Sequence, residues 1–135
     1  MSNPSWALQQ AVHAALSTDP ALLAVLGAPR IYDDVPRKTP FPYLTLGQST
    51  LRDWSTGTED GHEHLLTLHV WSRASGRNET HAIMAAIEMA LHDQSLPLVG
   101  HRLINLRHQF SEARREPDGV TYHGIVRFRA VTEPA

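Results

Sequence analysis

Residues 101–131 read HRLINLRHQFSEARREPDGVTYHGIVRFRAV, and this pattern governs the rest of the chain. At its centre, Glu116-Pro117-Asp118-Gly119 joins a proline that presets φ to an aspartate and a glycine suited to a tight turn. Residues 101–115 alternate, with Ile104, Leu106 and Phe110 on one face and Asn105, Arg107 and Gln109 on the other. Residues 120–131 place Tyr122, Val126, Phe128 and Ala130 on one face and His123, Arg127 and Arg129 on the other. A period of two on both sides of a turn predicts a β-hairpin. If the turn pairs Glu116 with Val120, Arg107 falls opposite Arg129 and Gln109 opposite Arg127. Like charges directly across a strand pair destabilise it. Either the side chains splay into solvent, or something acidic from another subunit or a ligand lies over them.

Upstream, Asn78 to about His92 predicts a helix opened by Ser75-Gly76-Arg77-Asn78. Its apolar stripe is Ile83, Ile87, Ala90 and Leu91, with His81, Glu88 and His92 off it. His62–Ser72 predicts a strand with Leu66, Leu68 and Val70 facing one way and Leu65, Thr67, His69 and Trp71 the other. Apolar residues on both faces predict cover on both sides, from another subunit if not from this chain. Tyr43–Ser49 reads as a strand, Arg30–Asp33 as a short one, and Pro36–Pro42 as a proline-rich link. Leu51–Gly61, polar apart from Leu51 and Trp54, reads as a long mobile loop or an extended hairpin tip. At the N-terminal end, Asn3 and Pro4 open a helix with Leu8, Ala11, Val12, Ala15 and Leu16 on one face, and Trp6 is placed to close it onto its neighbour. Asp19-Pro20 opens a second, short helix that Gly27 stops. The order ααβββαββ predicts a two-layer α+β domain spanning residues 1–135, a mostly antiparallel sheet with helices packed on one face.

The chain has 135 residues, of which 41% are apolar and 19% charged, enough for one core and too apolar for a disordered chain. No apolar run approaches the ~20 residues needed to span a bilayer, so no membrane partner is expected. Met1-Ser2-Asn3-Pro4-Ser5 shows neither a basic n-region nor an apolar h-region, so no secretory signal is expected. There is no cysteine, which excludes disulfides, thiolate metal sites and cysteine nucleophiles. The net charge of −2 argues against general duplex binding. Arginine outnumbers lysine, which occurs only as Lys38. This choice fits forked contacts at protein interfaces, but it is first of all what GC-rich coding sequence produces, and composition alone does not separate the two.

Nine histidines raise the possibility of chemistry. His62 and His64 share a strand face as an H-x-H pair, and His123 is the third ligand available to a small metalloenzyme. H-E-x-x-H, G-x-S-x-G and the phosphate-loop glycine patterns are all absent. The reading therefore assigns no catalytic residue, cofactor or metal, and keeps the metalloenzyme as an alternative. A further alternative is a nucleic-acid adaptor using Arg107, Arg127 and Arg129. The interface candidates are Trp54, Arg52, Asp53 and Glu59 in the loop, with Arg107, His123, Arg127 and Arg129 on the hairpin. Trp54 is an aromatic anchor among polar residues, as at protein–protein hot spots.

The run Arg30-Ile31-Tyr32-Asp33-Asp34-Val35-Pro36, followed by Pro40-Phe41-Pro42-Tyr43-Leu44-Thr45-Leu46-Gly47, resembles the tail-completion, or tail-terminator, family of long-tailed phages and gene transfer agents. The likeness continues through Asp53-Trp54-Ser55-Thr56, Gly61-His62-Glu63-His64 and Leu68-His69-Val70-Trp71-Ser72. It resumes at Arg114-Arg115-Glu116-Pro117-Asp118-Gly119 and Val126-Arg127-Phe128-Arg129, and looks closer to the gene-transfer-agent branch. The resemblance implies a structural protein without catalysis. It implies a homo-hexameric ring on the head-proximal end of the tail tube, which ends tube polymerisation and joins tail to head. The implied partners are the tail tube protein and the head-completion (connector, or stopper) protein. DNA would pass through the lumen without specific binding. The implied location is the head–tail junction of a phage-like particle made in the bacterial cytoplasm.

Overall fold

The computed structural model describes residues 3–135; Met1 and Ser2, the start of the stretch read above for a secretory signal, lie outside the described residues. Three helices and five strands occur among the described residues: α1 (Pro4–Ser17), α2 (Pro20–Leu26), β1 (Ile31–Tyr32), β2 (Tyr43–Asp53), β3 (His62–Ser72), α3 (Asn78–Leu91), β4 (His101–Arg115) and β5 (Tyr122–Pro134). The order ααβββαββ is the one the sequence predicts. The strands form one sheet in the order β1-β2-β3-β5-β4, antiparallel except where β1 runs parallel to β2.

Local chemistry sets the element ends. Asn3 Oδ1 accepts from the Ser5 and Trp6 amides at 2.8 and 3.3 Å, and Asp19 Oδ2 accepts from Leu22 N at 3.0 Å. These side chains satisfy amides that a helix start leaves without intrahelical partners. Gly27 takes φ 82° after α2, a left-handed stop that costs a side-chain-bearing residue more.

All three helices bear on one face of the sheet. Leu8, Val12 and Leu16 of α1, Leu22 and Leu26 of α2 and Ile83, Ile87 and Leu91 of α3 are buried there. They meet Leu44, Leu66, Leu68, Val70, Leu106, Val126, Phe128 and Ala130 from the strands. Fully burying each large side chain contributes about 1.5–3 kcal/mol against the entropy of ordering it. The opposite face of the sheet carries no helix among the described residues. Here it is called the open face. Trp6 does not close α1 onto a neighbour, since it remains 55% exposed.

Two bulges correct the hairpin register. Pairing runs Leu103↔Thr132 and then Asn105↔Val131, and later His108↔Phe128 and then Phe110↔Arg127, so Ile104 and Gln109 are extra residues on β4. Each extra residue reverses the alternation beyond it. Ile104 therefore leaves the core and is half exposed, and Phe110 moves to the open face, opposite Arg127. Gln109 does not face Arg127. At the turn Glu116 N donates to Thr121 O at 2.8 Å, so Glu116 meets Thr121 and not Val120. The Arg107↔Arg129 pairing nevertheless holds, because the bulge at Gln109 offsets the one-residue difference at the turn.

Candidate interaction surface on the open face of the sheet

The presumed loop at 51–61 is shorter than its composition suggests. Leu51, Arg52 and Asp53 belong to β2 and pair with His64, Glu63 and His62, leaving a tip at 54–61. That tip is held internally. Trp54 N donates to Gly61 O at 2.8 Å, Thr56 N to Glu59 O at 2.8 Å, Glu59 N to Thr56 Oγ1 at 3.0 Å and Gly61 N to Ser55 Oγ at 3.1 Å. It is the extended hairpin tip of the two readings. Asp53 accepts from Ser55 Oγ at 2.6 Å, which with the Ser55 amide lowers its pKa below the usual carboxylate value.

Alternation sends Arg52, Glu63 and Arg129 to the open face, with Arg52 of β2 directly across from Glu63 of β3 and Arg129 of β5 one diagonal step away, opposite Leu65. Arg52 Nε donates to Glu63 Oε1 and Arg129 Nε to Glu63 Oε2, both at 2.6 Å. The Arg129 hydrogen bond first, then the charge of Arg52, holds the Glu63 carboxyl below its ordinary pKa. Trp54 lies against both cations, with its ring 4.9 Å from the Arg129 guanidinium and 5.7 Å from that of Arg52. Three predicted candidates, Trp54, Arg52 and Arg129, thus converge on Glu63. Sequence reasoning missed Glu63, although its parity with Leu65 and Trp71 already places it on the face of Arg129.

Arg107 is opposite Arg129 but turns away, its Nη1 donating to Asp93 Oδ1 at 3.1 Å. Both arginines are therefore matched by carboxylates of their own chain, and their proximity needs no acidic partner from outside. Along the same face Arg102 pairs with Glu133, and Arg114 lies near Glu112 and Glu116. Arg127 differs. It has no carboxylate partner among the described residues; its guanidinium lies over the Phe110 ring, at 5.1 Å, and its charge adds to burial in lowering the pKa of His69. Phe110, opposite Arg127, is 39% exposed, and Leu65 and Trp54, beside Arg129, are 40% and 46% exposed.

Farther along β5, His123 does not join the arginines as an exposed group. It is buried, its Nδ1 is 2.7 Å from Glu116 Oε1, and its Nε2 is 2.7 Å from His69 Nδ1. A carboxylate accepts, so His123 Nδ1 donates to Glu116. With His123 neutral, its Nε2 then accepts from His69. Trp71 stacks on the His123 ring at 3.9 Å and donates Nε1–H to Thr45 Oγ1 at 3.0 Å. Burial pushes the pKa of both histidines down. For His123, Glu116 opposes that shift.

The metal-ligand set His62, His64 and His123 is not assembled. His64 is on the helix-covered face with Nε2 2.8 Å from Thr132 Oγ1, whereas His123 is on the open face. No group of three or more potential ligands able to hold a metal ion occurs among the described residues. No described helix is long and apolar enough to cross a membrane.

Comparison with known proteins gives one family. The model for tail completion protein gp17 matches residues 10–133. Tail completion protein gp17 of Bacillus phage SPP1 is 25% identical over 125 residues, covering 93% of this chain and 91% of that protein. Among solved structures, a chain of the virion of a native gene transfer agent particle superposes with a TM-score of 0.89 at 32% identity, over 98% of this chain and 99% of its own. The structure of SPP1 gp17 gives a TM-score of 0.63 at 22% identity over 93% and 88%, a likeness of fold.

Proposed function

The chain belongs to the tail completion protein gp17 family, and from that membership we propose that it is a structural ring subunit with no catalytic role. Six copies close on the head-proximal end of a tail tube, stop its polymerisation, and join it to the head connector at the head–tail junction. Its partners are other copies of itself, the tube protein and the connector protein, and DNA passes through the lumen without specific recognition.

The observation that carries this reading is the open face. One side of the sheet is covered by α1, α2 and α3, while the other presents Trp54, Leu65 and Phe110 part-exposed among arginines. A ring subunit needs two different surfaces meeting head to tail, a heterologous contact that closes at one rotation. The open face supplies one surface. Aromatic and arginine residues are the types enriched at such contacts.

Cryo-electron microscopy of intact particles tests the proposal. Sixfold density fitting this chain at the head–tail junction is expected, and absence of the chain from particles would overturn it. Trp54→Ala is expected to leave the monomer folded while reducing the proportion of tails joined to heads. A variant that joins them normally removes Trp54 from the contact.

A further inference from the structure

On the premise of that ring, we infer that the patch around Arg127 receives the acidic hairpin tip, Glu59 and Asp60, of the next copy. The patch has a defined composition. Arg127 pairs across the sheet with Thr67 on one side and Phe110 on the other, and Leu65 lies one diagonal step away beside Arg129. Leu65 and Phe110 supply apolar surface, and the guanidinium over Phe110 supplies one charge with no carboxylate partner among the described residues. The other arginines of this face have internal carboxylates, namely Arg52 and Arg129 with Glu63, Arg107 with Asp93, Arg102 with Glu133, and Arg114 near Glu112 and Glu116.

The complementary feature is at the end of the β2–β3 hairpin. Glu59 and Asp60 share a surface recess with Arg102 and Glu133. Those two residues pair with each other, and neither carboxylate of the tip has an ion pair within 4 Å among the described residues. The tip's internal hydrogen bonds fix its backbone, so little order remains to be imposed on docking. An acidic tip on one copy and an unmatched arginine in an apolar surround on the next form a heterologous contact, with patch and tip on different parts of the subunit. The contact also covers Leu65 and Phe110.

Reciprocal charge reversal tests this in particle-producing cells lacking the wild-type chain. Arg127→Glu alone, and Glu59→Arg with Asp60→Arg, are each expected to lower the yield of joined particles at least ten-fold, and the triple variant to recover most of it. Thermal melts of the purified chains show whether each variant is folded. If Arg127→Glu does not fold, Arg127→Gln replaces it, with a loss that the reversed tip does not deepen. Normal yield from both reversals, or a triple variant no better than its worse parent, overturns the contact while leaving the ring intact. Loss of the wild-type chain from particles is a different result: it overturns the ring, and the contact with it.

Discussion

Arg107 and Arg129 are directly opposite each other on adjacent strands, yet each turns to a different carboxylate of its own chain, Arg107 to Asp93 at 3.1 Å and Arg129 to Glu63 at 2.6 Å. The repulsion expected of such a pair is absorbed within the monomer. Glu63 does most of this, because its two oxygens also take Arg52 and it is only 8% exposed.

Glu63→Gln keeps the shape of the side chain and removes the charge, leaving Arg52 and Arg129 facing each other without the carboxylate they share. The expected result is a Tm lower by several degrees, with a deficit that shrinks as salt is added, since screening weakens repulsion between exposed cations. Asp93→Asn should cost less, because Asp93 and Arg107 are both more than half exposed. Differential scanning calorimetry of the two variants at low and high salt checks the order.

Gly47 is needed for its lack of a side chain. A Cβ there would be 2.5 Å from His69 Nε2 and 3.0 Å from the Thr67 carbonyl oxygen. The His69 ring is tied to His123 and the carbonyl is fixed in the sheet, so neither yields cheaply. Gly47→Ala is expected to destabilise by about 1–3 kcal/mol, as overpacking does. Gly57, in the tip, has nothing within 4 Å of its Cβ position, so Gly57→Ala should change stability little. Urea unfolding of both variants measures the contrast.

Much of this architecture is legible in the sequence because its causes are local. Asn3-Pro4, Asp19-Pro20 and Gly27 mark helix ends through contacts within a few residues, and the strand β3 follows from alternation alone. The bulges are not legible. Ile104 and Gln109 have no glycine or other special chemistry, and only the partner strand reveals that each is one residue too many. The site shows the same division. Trp54 is conspicuous as an aromatic in a polar stretch, but its setting depends on Glu63, which looks like a spacer between two histidines until β5 brings Arg129 beside it. His62, His64 and His123 mislead for the complementary reason, since parity separates His64 from His123 across the thickness of the sheet.

Burial first, then the charges of His62 and His101, lower the pKa of His64 to about 4 from an ordinary 6.5. Between these values the unfolded chain takes up a proton that the folded chain refuses. Stability should therefore be full above pH 6.5 and decline as the pH falls toward about 4, below which this contribution to the slope disappears. His69 and His123, also depressed, act in the same direction. His64→Gln is expected to flatten the decline without abolishing it. Denaturant midpoints at half-unit pH steps provide the comparison.

Glu116 tests the proton arrangement of the histidine pair. In the native chain burial lowers the His123 pKa, while the hydrogen bond to Glu116 and the carboxylate charge raise it. Glu116→Gln removes the charge and retains a side-chain oxygen that can still accept from Nδ1. The His123 titration midpoint, followed by the ring-proton shifts in NMR, should then move further down, because burial is left less opposed. With the charge gone, Nδ1 is also less firmly held as the donor, and the His123–His69 hydrogen bond can reverse direction. The Nδ1 and Nε2 nitrogen shifts of His123 should then move toward a mixture of tautomers. A midpoint that stays in place, with the tautomer unchanged, would show that the stacked Trp71 and the buried position fix the ring without help from Glu116.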